Sequence, residues 1–236
     1  MEPYIAEFIG TALLLLLGSG VVANVLLEQS KGQNGGWLVI CWAWAIAVFL
    51  GVYTATHLGG SGHLNPAVTL ALAAFGGFDS SLVPGYIAAQ VLGALTGSSL
   101  AWLTYRGHFD ATEDADLKLA IFSTAPAIRN PLQNLITEAI GTFVLVFGAM
   151  AISSPTDSLG ALDALPVALL VLGIGLALGG PTGYAINPAR DLGPRIAHAL
   201  LPIPGKRDSD WGYSWVPVVG PILGGWLGAA LYGLLI

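Results

Sequence analysis

From Gly32 to Phe78 the chain runs for 47 residues without an Asp, Glu, Lys or Arg. A soluble fold needs charge along its length to keep its surface solvated. As one helix the run would be about 70 Å long at ~1.5 Å per residue, more than twice the roughly 30 Å hydrocarbon core of a bilayer. It must therefore turn back on itself. The break is visible at Gly59-Gly60-Ser61-Gly62, followed by His63-Leu64-Asn65-Pro66. Trp37 to His57 is thus predicted as a membrane span, and Pro66 to Gly76 as a segment too short to cross.

The rest of the chain follows the same grammar. Tyr4 to Leu27 reads as a span interrupted by Glu7, Leu82 to Tyr105 as another, and Leu132 to Ile152 as a fourth containing Glu138. A second charge-free run, Ala164 to Ala189, ends in Gly179-Gly180-Pro181-Thr182-Gly183 and then Asn187-Pro188. A fifth span therefore stops near Leu178, Pro188 to His198 is a second short segment, and Trp215 to Ile236 is the sixth span. Arg106 to Pro131 concentrates charge among turn residues and is predicted as a long extramembrane loop. Met1-Glu2-Pro3 lacks the basic start of a secretory signal, so none is expected.

Composition excludes the alternatives. Charged residues make up 9% and hydrophobic ones 55% of the 236 residues, with mean hydropathy +0.74. Soluble domains carry about 25% charge, and disordered chains need low hydrophobicity. A net charge of −6 without a basic stripe argues against a nucleic-acid partner. Cys41 is the single cysteine, so no intrachain disulfide forms, and no Cys/His spacing suggests a metal or other cofactor. The partner implied by composition is the lipid bilayer.

The two halves repeat. Glu7-Phe8-Ile9-Gly10-Thr11 opens the first and Glu138-Ala139-Ile140-Gly141-Thr142 the second, each followed by an Asn-Pro-Ala triplet. Residues 1–118 form the first repeat, 119–131 a connecting loop and 132–236 the second repeat. Each repeat holds three spans and one short segment; three is odd, so the halves lie in opposite orientations. An inverted repeat places the functional site near the midplane where the halves meet. Asn is a strong N-cap and Pro suits the first helical position, so Asn65-Pro66-Ala67 and Asn187-Pro188-Ala189 each read as a helix start. Broken backbone at membrane depth is tolerated where protein buries it or it lines a watery cavity.

Ser61-Gly62-His63-Leu64-Asn65-Pro66-Ala67-Val68-Thr69 and Gly183-Tyr184-Ala185-Ile186-Asn187-Pro188-Ala189-Arg190-Asp191 resemble the two loops of the aquaporin and glycerol-facilitator family. The resemblance covers essentially the whole chain. It implies an all-α membrane protein with six tilted transmembrane helices, two re-entrant half-helices, a right-handed bundle, one pore per chain and a homotetramer. It implies that the amides of Asn65 and Asn187 donate to the permeant. The carbonyls of Ser61, Gly62 and His63, and of Gly183, Tyr184 and Ala185, would form an acceptor ladder. A solute that gives up hydrogen bonds to water needs such replacements along an apolar wall.

Four positions set the family's narrowest point, and by the resemblance they fall on Trp44, Gly175, Tyr184 and Arg190, with Trp42 competing for the place of Trp44. Gly175 would open space, Trp44 and Tyr184 would face a carbon backbone, and Arg190 would donate to hydroxyls and repel cations. The alternative for Arg190 is a structural ion pair, with Asp191 the nearest acid. Asp191 itself resembles the glycerol subgroup. Glu7 and Glu138, carboxylates at equivalent places inside spans, would accept from loop N–H groups in the family's pattern, Asp191 would be a third loop-bracing acid, and His63 would brace its loop.

The expected function is a passive channel for glycerol and similar small uncharged solutes that also conducts water and excludes protons and ions, in a cell membrane of bacterial type. Facilitation of neutral hydroxy acids such as lactic acid is an alternative. So is a coupled secondary transporter, which would need a coupling site from Glu7, Glu138 or Asp191. An intramembrane hydrolase using Ser61 and His63 is disfavoured, because the nucleophile motif lacks its final Gly. One feature runs against the family topology. With both termini cytoplasmic, Lys31, Arg106, Lys118, Arg129, Lys206 and Arg207 all fall in outside loops, the reverse of the positive-inside bias.

Overall fold

A computed structural model of the chain describes residues 2–152 and 160–236. All of its regular elements are helical among the described residues. In chain order they are α1 (Pro3–Leu26), α2 (Trp37–His57), α3 (Pro66–Phe75), α4 (Val83–Thr104), α5 (Arg106–Ala111), α6 (Ala115–Ala120), α7 (Pro131–Ala151), α8 (Leu165–Leu178), α9 (Pro188–Leu200) and α10 (Val216–Leu235). Five of them, α1, α2, α4, α7 and α10, are long and apolar enough to cross a membrane, α4 together with the turn that precedes it. The fifth predicted span ends at Leu178, but its described helix α8 has only 14 residues. That is about 21 Å at ~1.5 Å per residue, short of the hydrocarbon thickness.

The packing interlocks the halves. α1 packs on α2 and α4, and α7 packs on α8 and α10. The half-helices cross over: α3 from the first half docks against α10, and α9 from the second docks against α4. Without a hydrophobic drive between helices in lipid, close backbone approach does the work, and glycine permits it. A Cβ at Gly97 of α4 would lie 2.2 Å from the Ala12 carbonyl oxygen of α1. One at Gly224 of α10 would lie 2.0 Å from the Ala139 carbonyl oxygen of α7. The two main helix pairs are thus held by the same device.

The segment Arg106 to Pro131, predicted to be a solvated loop, folds differently. It forms α5 and α6, the latter capped by Asp114. It then turns inward, burying Phe109, Leu119, Ile121, Phe122 and Thr124. Its charges made it read as loop, yet Ile121 and Phe122 supply an apolar anchor and Lys118 is itself buried. Four of the six loop cations are also spoken for. Arg129 pairs with Asp210 and Arg207 with Asp116. Lys118 donates to the Pro204 carbonyl, and Lys206 donates to the carbonyls of His198, Ala199 and Leu201 at the C-terminal end of α9. These cations lace two loops and a helix end together, a structural use independent of the charge rule that sets orientation.

Candidate functional site: a pore where two half-helices meet

The half-helices α3 and α9 meet N-terminus to N-terminus. Asn65 Oδ1 accepts from the Ala67 N–H at 2.9 Å, and Asn187 Oδ1 accepts from the N–H groups of Ala189 and Arg190 at 2.9 and 3.1 Å. Pro66 and Pro188 follow at the first helical position, where a missing N–H costs nothing. With each oxygen committed to its own helix, each amide nitrogen reaches across. Asn65 Nδ2 donates to the Ile186 carbonyl and Asn187 Nδ2 to the Leu64 carbonyl, both at 2.8 Å. The two caps therefore lock the two loops to one another, using one N–H of each amide and leaving the second without a partner among the described residues.

The loops leading into the caps are held by the two intramembrane carboxylates. Glu7 accepts from the N–H groups of His63 and Leu64, both at 2.8 Å, and from Gln90 Nε2 at 2.9 Å. Glu138 accepts from the N–H groups of Ala185 and Ile186 at 3.0 and 2.8 Å. Turning successive N–H groups to one side requires left-handed backbone at Gly62, Leu64, Gly183, Tyr184 and Ile186, with φ between 37° and 78°. Such strain in non-glycine residues persists only where the surroundings over-determine it. The consequence is chemical. With the N–H groups turned to the acids, the carbonyls of residues 61–63 and 183–185 have no hydrogen-bond partner among the described residues.

At one mouth the guanidinium carbon of Arg190 lies 4.3 Å over the Trp44 ring. Arg190 is buried, and its Nη1 donates to the Phe122 carbonyl at 3.3 Å. Asp191 does not pair with it. Asp191 instead binds Arg195, one turn on, and accepts from both the N–H and the hydroxyl of Thr124 at 2.8 and 2.7 Å. So Arg190 keeps its charge without an acidic partner among the described residues. Trp44 is 5% exposed while Trp42 is 49% exposed on the outer surface, so the inward tryptophan is Trp44.

A cavity of about 250 Å³ runs through the junction, touching Trp44, Tyr184 and Arg190 at one end and passing both Asn65 and Asn187. Ser61, Gly62, His63 and Ala185 line it too. Gly175 and Gly183 do not. Gly175 stands behind Tyr184: a Cβ there would lie 2.9 Å from Tyr184 Cζ and 3.1 Å from Cys41 Sγ. Pro66, Ala67, Pro188 and Ala189 are buried in the half-helices. Much of the remaining lining is aliphatic, including Leu14, Val48, Val52 and Val171. The lining thus combines hydrogen-bonding groups of the two loops and Arg190 with aliphatic and aromatic side chains.

Ser61 Oγ pairs with the Tyr86 hydroxyl at 3.0 Å, and His63 Nδ1 with Thr69 Oγ1 at 3.1 Å, so the serine–histidine contact that a nucleophile needs is not made. Among the described residues no three His, Cys, Asp or Glu side chains cluster as a metal site. Sequence reasoning passed over Gln90, Thr124 and Arg195. Arg195 carried a signal, since Asp191 and Arg195 are spaced i,i+4 within a predicted helix. Gln90 and Thr124 carried none, being single polar residues in an apolar span and a charged loop.

Helices that span, half-helices that meet at capped asparagines and a passage between them define a membrane channel of the aquaporin type. The family described as Major intrinsic protein matches residues 1–232, and the chain belongs to it. It is 58% identical over 235 residues to the probable glycerol uptake facilitator protein of Thermotoga maritima, covering 100% of both chains. It is 52% identical over 231 residues to glycerol uptake facilitator protein 3 of Lactiplantibacillus plantarum, covering 98% of this chain and 95% of that one. The fold is similar to the X-ray structure of the aquaglyceroporin from Plasmodium falciparum, with a TM-score of 0.87 at 30% identity, covering 98% of this chain and 94% of that chain.

Proposed function

We propose that this protein is a passive channel for glycerol and similar small uncharged polyols, and that it also conducts water. The observation that carries this reading is the mixed lining of the cavity. Arg190, the second N–H of each cap amide and the partnerless loop carbonyls can supply hydrogen bonds, while Trp44 and the aliphatic residues supply apolar contact. A polyol has both faces, and replacing its hydration on one side while burying its carbons on the other avoids a desolvation penalty of several kcal/mol. The names of the relatives at 58% and 52% identity support the same solute.

Ions are excluded by the same geometry. Two helix N-termini and Arg190 direct positive potential at the centre, an arrangement known to reject protons and cations in aquaporin-type pores. A coupling site would need a carboxylate free to bind an ion. Glu7, Glu138 and Asp191 are instead occupied by loop N–H groups, Gln90, Thr124 and Arg195. On this reading the protein is a channel and not an enzyme; the family it belongs to and its bacterial relatives are what support a homotetramer in a bacterial plasma membrane. Stopped-flow light scattering on proteoliposomes tests the solute. Glycerol and water permeabilities should both exceed those of protein-free vesicles; a rise for water alone would refute the polyol reading.

A further inference from the structure

The aromatic wall of the mouth has a floor that lies outside the passage. Gly18 of α1 does not line the cavity, yet a Cβ placed on it would lie 2.3 Å from Trp44 Cη2, 2.4 Å from Cζ3 and 2.6 Å from Cζ2. The far end of the indole thus rests directly on the backbone of α1. On the lumen side the Arg190 guanidinium lies 4.3 Å from the same ring. The indole thus meets both a glycine of α1 and the filter cation.

We propose that Gly18 is a specificity-determining positioning residue: it sets how far the Trp44 ring projects into the pore and so sets the largest solute that passes. Carbon atoms in contact settle near 3.5–4.0 Å. A methyl at 2.3 Å must push the indole by about an ångström, and a rigid ring with two torsions cannot fold away from it. The added methyl pushes the ring away from α1, and because Trp44 and Arg190 both line the cavity, the displacement is felt in the space that they share there. Water, with one heavy atom, tolerates a narrower gap than a three-carbon solute.

Tyr184 has a similar support, since a Cβ at Gly179 of the α8 C-cap would lie 2.5 Å from Tyr184 Cδ1. That position is the poorer test, because the same Cβ meets the Gly175 carbonyl at 2.6 Å and Trp37 at 2.8 Å. At Gly18 the three nearest atoms all belong to Trp44.

The inference rests on the glycerol reading, and the experiment separates the two. Glycerol and water permeabilities are measured in proteoliposomes for the wild-type chain, Gly18→Ala, Trp44→Phe and the double variant. In Gly18→Ala the glycerol-to-water ratio should fall at least about tenfold, the scale on which a pocket discriminates by one carbon-sized change. In the double variant the smaller ring should restore the ratio toward that of Trp44→Phe alone. A merely structural lesion would lower both fluxes together and would not be rescued by changing Trp44. An unchanged ratio in Gly18→Ala overturns the proposal. So does a loss of both fluxes that Trp44→Phe fails to repair. Absence of glycerol flux in the wild-type chain would instead refute the glycerol reading itself.

Discussion

Asp191 and Arg195 form an ion pair of 2.8 Å one turn apart on α9, with neither side chain exposed. The pair is a junction as much as a bond. Asp191 also holds Thr124, while Arg195 donates to the carbonyls of Thr124, Ser209 and Asp210. Two other segments, at Thr124 and at Ser209–Asp210, are thereby fixed against α9, and Phe122, two residues before Thr124, supplies the carbonyl that orients Arg190. The mouth of the pore is therefore positioned by charges that never touch it.

Arg195→Leu leaves Asp191 buried without its cation, and breaking such a pair costs about 3–5 kcal/mol. The expected outcome is a lower unfolding temperature in detergent, with part of the loss recovered in the double variant Asp191→Asn, Arg195→Leu. Wild-type thermal stability in Arg195→Leu would show that the junction is not structural.

Glu7→Gln and Glu138→Gln test the loop braces. Each carboxylate meets two converging backbone N–H groups, and a glutamine offers an oxygen to one and an NH2 to the other. One buried donor then lacks an acceptor, at a cost of about 1–3 kcal/mol. Both variants should unfold at lower temperature and conduct glycerol more slowly, while flux stays driven by the gradient alone. Unaltered stability in both would contradict the bracing role.

Gly175→His should cut glycerol flux severely and water flux far less. The new side chain begins 2.9 Å from Tyr184 Cζ and 3.1 Å from Cys41 Sγ, so it acts by displacing the Tyr184 ring. Cys41→Ala in the same chain makes room and should return part of the glycerol flux. Glycerol permeability unchanged in Gly175→His would mean that the narrowest point lies elsewhere.

Small hydroxy acids give a pH test. Stripping a carboxylate of its hydration costs several kcal/mol even beside one cation, and the neutral acid escapes that cost. With a carboxyl pKa of roughly 3.5–4, the neutral form becomes about tenfold commoner from pH 7 to pH 6. Lactic acid flux carried by this pore should rise by that factor at fixed total lactate, with glycerol flux flat. Lactate flux independent of pH would indicate passage of the anion.

The parts of the architecture that were legible in sequence are those written in local patterns. The charge-free run forced a turn, and Asn65-Pro66 and Asn187-Pro188 marked helix starts because cap chemistry spans only a few residues. Glu7 and Glu138 stood out because an acid inside an apolar span demands partners. What stayed hidden depends on long-range meeting. Phe122 and Thr124 sit in a segment whose charges read as solvated loop, though the burial of Phe122 and the hydrogen bonds of Thr124 to Asp191 hold that segment inward. The crossed hydrogen bond of each cap amide depends on which loop the opposite half-helix brings to it. The role of Gly18 was equally silent, since a glycine in an apolar helix looks the same whether it faces lipid, a neighbouring helix or an indole.

The central claim is that solute moves passively through a pore whose buried carboxylates, Glu7, Glu138 and Asp191, are all structural. Proteoliposomes loaded with buffer and given radiolabelled glycerol outside, with and without an imposed proton gradient, test it most directly. The account predicts rapid filling that stops when internal and external concentrations are equal, unaffected by the proton gradient or by a protonophore. Accumulation above the external concentration that collapses on adding the protonophore would contradict it.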